Sequence, residues 1–365
     1  MPTPTELLDQ EDVRRDVDDA LSLHLDALRD RMLAVDEATL PLLHEAEQLL
    51  AGGKRLRAAF CYWSWRAHGG RADSADRSAA IGTGAALELF QAAALVHDDV
   101  MDRSDTRRGR PAAHRAFAAV HRAQGWDGNP DEFGTNAAIL LGDLLLSSCG
   151  EKATLATADL DPGVAARVRA VFDLMQAEVT VGQFLDVRAQ VMPWGVDLDA
   201  DEARSRAIIR AKSARYSVEH PMALGAAIAG ADPASVRAYG LPFGEAFQLR
   251  DDLLGVFGDP TVTGKPAGDD LREGKRTVLV SRALRSASEA ERETVMAALG
   301  DEDLTGSRID DVRTILVSTG AVDEVEALIE NLADAAESAL RDADLDESGR
   351  AVLLALGRAA AQRRV

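Results

Sequence analysis

An all-α fold is what this sequence predicts, and two observations carry it. Apolar residues recur at three- and four-residue spacing through nearly every segment, and alternating β-branched runs are absent. Helices are expected at roughly 12–35, 36–51, 54–69, 74–103, 110–123, 134–158, 161–191, 200–229, 233–257 and 269–285, with several amphipathic ones from roughly 287 to 362. The stops fall where backbone chemistry puts them. Gly52-Gly53 closes one helix and Gly69-Gly70 the next, while Asp232-Pro233 opens another with a cap and a proline in the first turn. Gln124 to Asp131 and Met192 to Asp201 read as surface excursions, each too short to join two domains. The expectation is one domain over 1–365 built on long core helices, with no internal repeat of fixed period.

Composition limits what such a fold can do. The 365 residues are 46% hydrophobic, ample for a large core. A formal net charge of -20 argues against nucleic acid, whose phosphates bind positive surface. An anionic substrate must then be captured by a few placed cations and a metal. The two cysteines, Cys61 and Cys149, sit in apolar helical contexts and read as buried thiols of a reducing cytosol. The first residues lack a basic and then apolar leader pattern, so a cytoplasmic protein is expected. The most apolar stretch, Ala79 to Val96, is interrupted by Gly82, Gly84, Glu88 and Gln91, which suits a buried core helix better than a membrane span.

Two aspartate clusters carry the chemistry: Asp98, Asp99 and Asp102, and then Gln248 with Asp251 and Asp252. Carboxylates in apolar helices are costly to bury without cations. Asp98 and Asp102 are one helical turn apart and can share metal ions, while Asp99 is rotated by about 100° and steadies the site. Hard oxygen ligands point to Mg2+. An acidic helix end facing water is the plain alternative, and it fits poorly with Ala92 to His97 just before. Arg107 and Arg108 follow, and guanidinium forks suit phosphate oxygens. Gly52-Gly53-Lys54-Arg55-Leu56-Arg57 opens a helix with cations at its start, favourable for phosphate but without the spacing of a P-loop. Lys212, Lys265 and Lys275 supply further cations. Together these residues read as a diphosphate trap.

In this order the residues resemble the trans-isoprenyl diphosphate synthases, or polyprenyl synthetases. The match runs from about residue 50 to 280 through Gly52 to Arg57, His97 to Asp102 with Arg107-Arg108-Gly109, Gly142-Asp143, Gly182-Gln183 with Asp186, Lys212-Ser213, Phe247-Gln248 with Asp251-Asp252, Gly264-Lys265 and Gly274-Lys275. The resemblance implies an all-α isoprenoid synthase fold around a central apolar cavity, usually homodimeric. The motif-bearing core would be about 50–285, with packing helices from 287 to 362. It also implies Mg2+-dependent condensation of isopentenyl diphosphate with an allylic diphosphate (dimethylallyl, geranyl or farnesyl). Carried over by position, Asp98, Asp102 and Asp251 would bind metal, with Asp99 and Asp252 in support. Arg107, Lys212 and Lys265 would contact the allylic diphosphate, and Lys275 belongs to the same substrate-binding set. Lys54, Arg57, Gln91 and Arg108 would hold isopentenyl diphosphate, and Gln183, Ser213 and Gln248 would lie near the reacting carbon.

Two departures from the family pattern matter. Gly255 replaces a third aspartate of the second cluster, and Asp259 is not counted as a direct ligand because the helix should end near 257. In the family, bulky residues at the fourth and fifth positions before the first motif stop growth at farnesyl. Here these are Ala94, about 6 Å below Asp98, and Ala93; Phe90, about 12 Å below, is the best candidate for the next stop, with a core phenylalanine packed away from the cavity as the equal alternative. Geranylgeranyl diphosphate is therefore the expected product, with farnesyl or longer polyprenyl chains as alternatives. A di-iron bundle would need Glu-x-x-His pairs, which are absent from this sequence. A class I terpene cyclase would not need Lys54, Arg57 and Arg108 for a second diphosphate, and a non-catalytic partner subunit would be expected to have lost one cluster.

Overall fold

The computed structural model describes residues 10–258, 268–301 and 303–361. Helix α1 (Val13–Leu33) buries Val13, Val17, Leu21, Leu25 and Leu28, the spacing of one helical face. Then α2 (Leu40–Leu50), with a proline in its first turn, ends before Gly52 and Gly53, both at positive φ. The strongly buried α3 (Leu56–Ala67) and α4 (Arg77–Met101) follow. A two-residue hairpin, β1 (Thr106–Arg107) and β2 (Arg110–Pro111), interrupts the helices. After α5 (Ala113–Gln124) comes α6 (Pro130–Ala156), whose start is set by the Asn129 side chain accepting from the amides of Asp131 and Glu132. Next are α7 (Pro162–Val191), α8 (Leu198–Ile208), a π-helix over Ile209–Glu219, α9 (His220–Ile228) and α10 (Arg237–Phe257). The chain closes with the short α11 (Asp269–Arg272), then α12 (Val278–Ser286), α13 (Glu289–Ala298), α14 (Gly306–Ser318), α15 (Ala321–Asp342) and α16 (Glu347–Ala361).

Three expectations change. The helix expected over 269–285 is two helices, because Gly274 at φ 72 turns the chain and the Thr277 side chain caps α12. The stretch 200–229 is wound as α, π and α in succession. The hairpin at 106–111 was not expected; Arg108 (φ 53) and Gly109 (φ 73) both take the positive φ that a type I′ turn demands.

The chain sorts into two compact units. The first runs to residue 172 and adds 221–235 and 345–353; α4 packs against α6, α3 and α1 in it. Glycines bring the helices close: a Cβ at Gly84 would stand 2.9 Å from that of Ala58, and one at Gly82 2.7 Å from that of Ala156. The second comprises 173–220, 236–344 and 354–365. Its core joins Leu249, Leu253 and Val256 of α10 to Leu279 and Leu284 of α12 and to residues of α14 and α15. Arg250 fixes α10 to the C-terminal helices, its fork on Glu326 at 2.5 Å and its Nε on Ala361 O at 3.0 Å.

The tightest backbone approach in the first unit yields a stability prediction. A Cβ at Gly225 would overlap the Cys61 carbonyl oxygen and stand 2.7 Å from Trp65 N, backbone atoms that cannot rotate away. Gly225→Ala should destabilise the fold by about 1–3 kcal/mol. Gly150→Ala, with nothing within 4 Å of its Cβ, should instead be neutral or slightly stabilising. Thermal melts of the two variants distinguish these outcomes.

Candidate active site

In the first unit, the last turn of α4 carries Asp98 and Asp99, and Asp102 is its capping residue. The turn is closed by Asp102 N on Asp98 O (2.8 Å) and Ser104 N on Asp99 O (3.0 Å), with Arg103 in the left-handed conformation at φ 55. A helix C-terminus is its negative pole, so these carboxylates lie where cations are favoured. The hairpin supplies one. Arg107 donates through Nε to Asp99 Oδ1 at 2.9 Å and through Nη2 to the same oxygen, and Nη2 is 3.8 Å from Asp98 Oδ2. Asp99 is buried, while Asp98 keeps 19% of its side chain exposed and Asp102 is half-buried. Asp99 is thus ion-paired with Arg107.

The basic segment before α3 divides by role. Arg55, itself at φ 52, is buried and donates to Asp18 Oδ1 (2.7 Å), Glu88 Oε2 (3.3 Å) and Leu50 O (2.5 Å), which ties three helices together. Lys54 is exposed and Arg57 half-buried on either side of it. Burial holds the Arg108 guanidinium below its usual value; Glu88 opposes this, and Arg55, Arg107 and Arg57 add to it. Four guanidinium groups thus gather where Arg55 and Arg107 are already matched to carboxylates. Gln91, half-buried, lies three residues beyond Glu88 on α4, and Phe90 and Ala93 are buried beside the half-buried Ala94. Gly142 lets α6 approach His97, whose Nε2 is 3.2 Å from Ile139 O and 3.5 Å from Asp143 Oδ1.

In the second unit, α10 presents Gln248, Asp251 and Asp252 near its C-terminal end. Gln248 Nε2 donates to Asp252 Oδ1 at 2.9 Å. Asp252 is buried, and its carboxyl is pushed up to about 7 by burial first and by Asp270 next, against the Gln248 hydrogen bond and Lys275. Lys275 Nζ lies 2.9 Å from Asp270 Oδ1 and 2.6 Å from Glu273 Oε2. Lys212 Nζ donates to Asp186 Oδ2 at 2.6 Å. Lys212 and the half-buried Ser213 stand on the π-helix, which glycines hold from two sides: a Cβ at Gly182 of α7, beside half-buried Gln183, would overlap Lys212 N, and one at Gly244 of α10 would overlap Ala214 O. Arg215 and His220, five residues apart, both reach Glu178, as the wider π turn allows. Lys265 and Asp259 lie outside the described residues. Glu88 and Asp270 were not singled out from sequence; the one available signal for Asp270 was a glycine at 255 in place of an acid.

The model of the polyprenyl synthetase family matches residues 41–316. The chain belongs to this family. It is 32% identical over 296 residues to geranylgeranyl diphosphate synthase of Mycobacterium tuberculosis, covering 80% of this chain and 76% of that protein. It is 35% identical to a short chain isoprenyl diphosphate synthase of Methanothermobacter thermautotrophicus over 74% of this chain and 75% of that protein. The crystal structure of geranylgeranyl pyrophosphate synthase from Corynebacterium glutamicum, complexed with isoprenyl diphosphate and magnesium, superposes with a TM-score of 0.90 at 36% identity, covering 97% of this chain and 99% of that one. The all-α isoprenoid synthase fold and the trans-prenyltransferase class expected from the motifs are thereby shown.

The donor set of this polyprenyl synthetase fits magnesium bound together with a phosphate ligand. Among the described residues no group of three His, Cys, Asp or Glu side chains is gathered to hold a metal alone. Magnesium commonly takes one or two carboxylates and completes its shell with waters and substrate phosphates. The partly exposed Asp98, Asp102 and Asp251 are carboxylates of that kind.

Asp252 makes the metal-free protein pH-sensitive. Its folded pKa is raised, so the folded state binds a proton more tightly than the unfolded one, and the associated stability is present below about pH 4 and lost as pH rises through about 7. Asp252→Asn, which imitates the neutral acid, should therefore gain in melting temperature relative to wild type as pH goes from 4 to 7 in a metal chelator. A constant difference across that range would mean that burial does not raise this carboxyl.

Proposed function

We propose that this enzyme condenses isopentenyl diphosphate with allylic diphosphates in a magnesium-dependent reaction, with geranylgeranyl diphosphate as its main product. The observation that carries this reading is the gathering of cationic side chains beside the first aspartate cluster. Arg107 is matched to Asp99 and Arg55 to Asp18 and Glu88, while Lys54, Arg57 and Arg108 add positive charge that suits a second diphosphate. A cyclase of one diphosphate has no use for it. The motifs of both units are assigned to one synthase domain, in line with a family match that runs through both.

Asp98 and Asp102 of the first cluster and Asp251 of the second would hold magnesium, which when bound would stabilise charge on the leaving diphosphate. Arg107, Lys212 and Lys265 hold that diphosphate as its bond to the allylic carbon breaks, and Asp186 and Asp99 orient the first two cations. Asp252 supports Asp251, and Lys275 belongs to the same set. Lys54, Arg57, Gln91 and Arg108 seat isopentenyl diphosphate so that its double bond attacks the allylic carbon. Gln183, Ser213 and Gln248 lie near the developing cation, and the departing diphosphate takes the final proton. Dimethylallyl, geranyl and farnesyl diphosphates are the primers this scheme accommodates.

A homodimer in the cytoplasm completes the proposal. On α6, Ile139 and Leu140 are exposed, Leu140 at 62%, and on α7 so are Val181 and Phe184, the latter at 65%; exposed apolar side chains of this kind suit burial against a second copy. Both α4 and α6 are long and apolar enough to cross a membrane, yet α4 is mostly buried in the protein, as a core helix would be. Cys61 and Cys149 are buried thiols in no disulfide, each raised to about 12 by burial, which suits a reducing compartment.

Two experiments test the assignment. Asp98→Ala and Asp251→Ala should each lower turnover at least ~100-fold while helical circular dichroism persists, since the lost contacts act mainly in the transition state. Near-normal rates in either folded variant would remove the metal assignment. Product length is read by separating the products of wild type and Ala94→Phe. Phe90 is only 3% exposed, whereas Ala94 is half-buried one turn nearer Asp98; the added ring should shift products toward farnesyl. An unchanged distribution in an active enzyme would place the growing chain on another face.

A further inference from the structure

Position 255 is where the second aspartate cluster lacks an acid, and the fold fills the space from elsewhere. Asp251 and Gly255 are four residues apart on α10 and share a face. A Cβ at Gly255 would lie well inside van der Waals contact of Asp270 Oδ2 and Cγ, and 3.1 Å from Oδ1. The Asp270 carboxylate thus occupies the volume into which a residue-255 side chain would project. It is delivered by a different element. Gly268, at φ 73, leads into α11, and Lys275 Nζ holds Oδ1 at 2.9 Å, so that Oδ2 turns toward α10.

We propose that Asp270 is a positioning residue for the metal assigned to Asp251, supplying from α11 the carboxylate that α10 lacks at 255. This rests on the prenyl-transfer reading above. Glycine inside a helix costs about 1 kcal/mol relative to alanine, and here any larger residue would displace a buried acid. That acid is itself 8% exposed, and Asp252 lies near enough for each carboxyl to oppose the other's ionisation. With Lys275 as the cation in contact, an additional divalent ion on the Asp251 face removes the remaining repulsion. Magnesium keeps several of its waters. A carboxylate set back on α11 can orient those waters without displacing them, and partners of that kind are worth about 10–100-fold in metal affinity.

The test needs no turnover. Binding of inorganic diphosphate is measured by calorimetry across a magnesium series for wild type, Asp270→Asn and the exchange variant G255D/D270G. Asp270→Asn keeps the size of the side chain and an oxygen for Lys275, and should raise the magnesium concentration for half-maximal binding about tenfold. The exchange variant, which moves the carboxylate back onto α10, should recover most of that loss. Wild-type magnesium dependence in Asp270→Asn overturns the proposal. If that variant also melts early, the exchange variant decides: recovery of melting together with magnesium dependence supports the proposal, and recovery of melting alone overturns it. Condensation by the wild-type enzyme is assayed separately, so failure of the prenyl-transfer reading and failure of this one give different results.

Discussion

Negative charge at the negative end of a helix is the constraint on which the rest depends. The last turn of α4 holds Asp98 and Asp99, with Asp102 capping it, and α10 carries Asp251 and Asp252 near its C-terminal end, toward the negative pole of each helix. Neither arrangement is stable without cations. Each unit meets the demand in part with its own side chains and leaves acids partly exposed for another partner. In the first, a hairpin returns Arg107 to Asp99. In the second, Lys275 reaches Asp270 and Gln248 reaches Asp252, whose carboxyl burial pushes up.

The same logic distinguishes a cation buried to hold the fold from its more exposed neighbours. Arg55 differs from Lys54 and Arg57 because it points inward: Asp18, Glu88 and Leu50 O consume its donors, and its left-handed backbone sets the angle at which α3 leaves the glycine turn. Of its neighbours, Lys54 is exposed and Arg57 half-buried. Glycines act as the counterpart on the helices, removing side chains where a functional residue must come close, at 142 for His97, at 182 for Lys212 and at 255 for Asp270.

Much of this was legible in the sequence because it depends on local spacing. The all-α class, the buried apolar α4, the four-residue interval between Asp98 and Asp102, and the glycine turn before Lys54 follow from helical period and backbone preference. What stayed hidden depends on residues far apart in the chain. The pairing of Arg107 with Asp99 needs a type I′ hairpin whose Arg-Gly turn carries a weaker signal than Asn-Gly. Glu88 looked like an interruption of an apolar run, and only Arg55 folded against it explains its charge. Asp270 could not be placed near Gly255 from spacing, since the chain turns between them.

The π-helix at Ile209–Glu219 changes the arithmetic of the region around Lys212. In an ordinary helix, residues four apart share a side; here Arg215 and His220, five apart, grip the two oxygens of one carboxylate, and His220 N bonds back to Arg215 O. Removing a single residue between them would leave the pair four apart, the spacing that shares a side at ordinary pitch. A helical wheel drawn through this segment must therefore be restarted on either side of it.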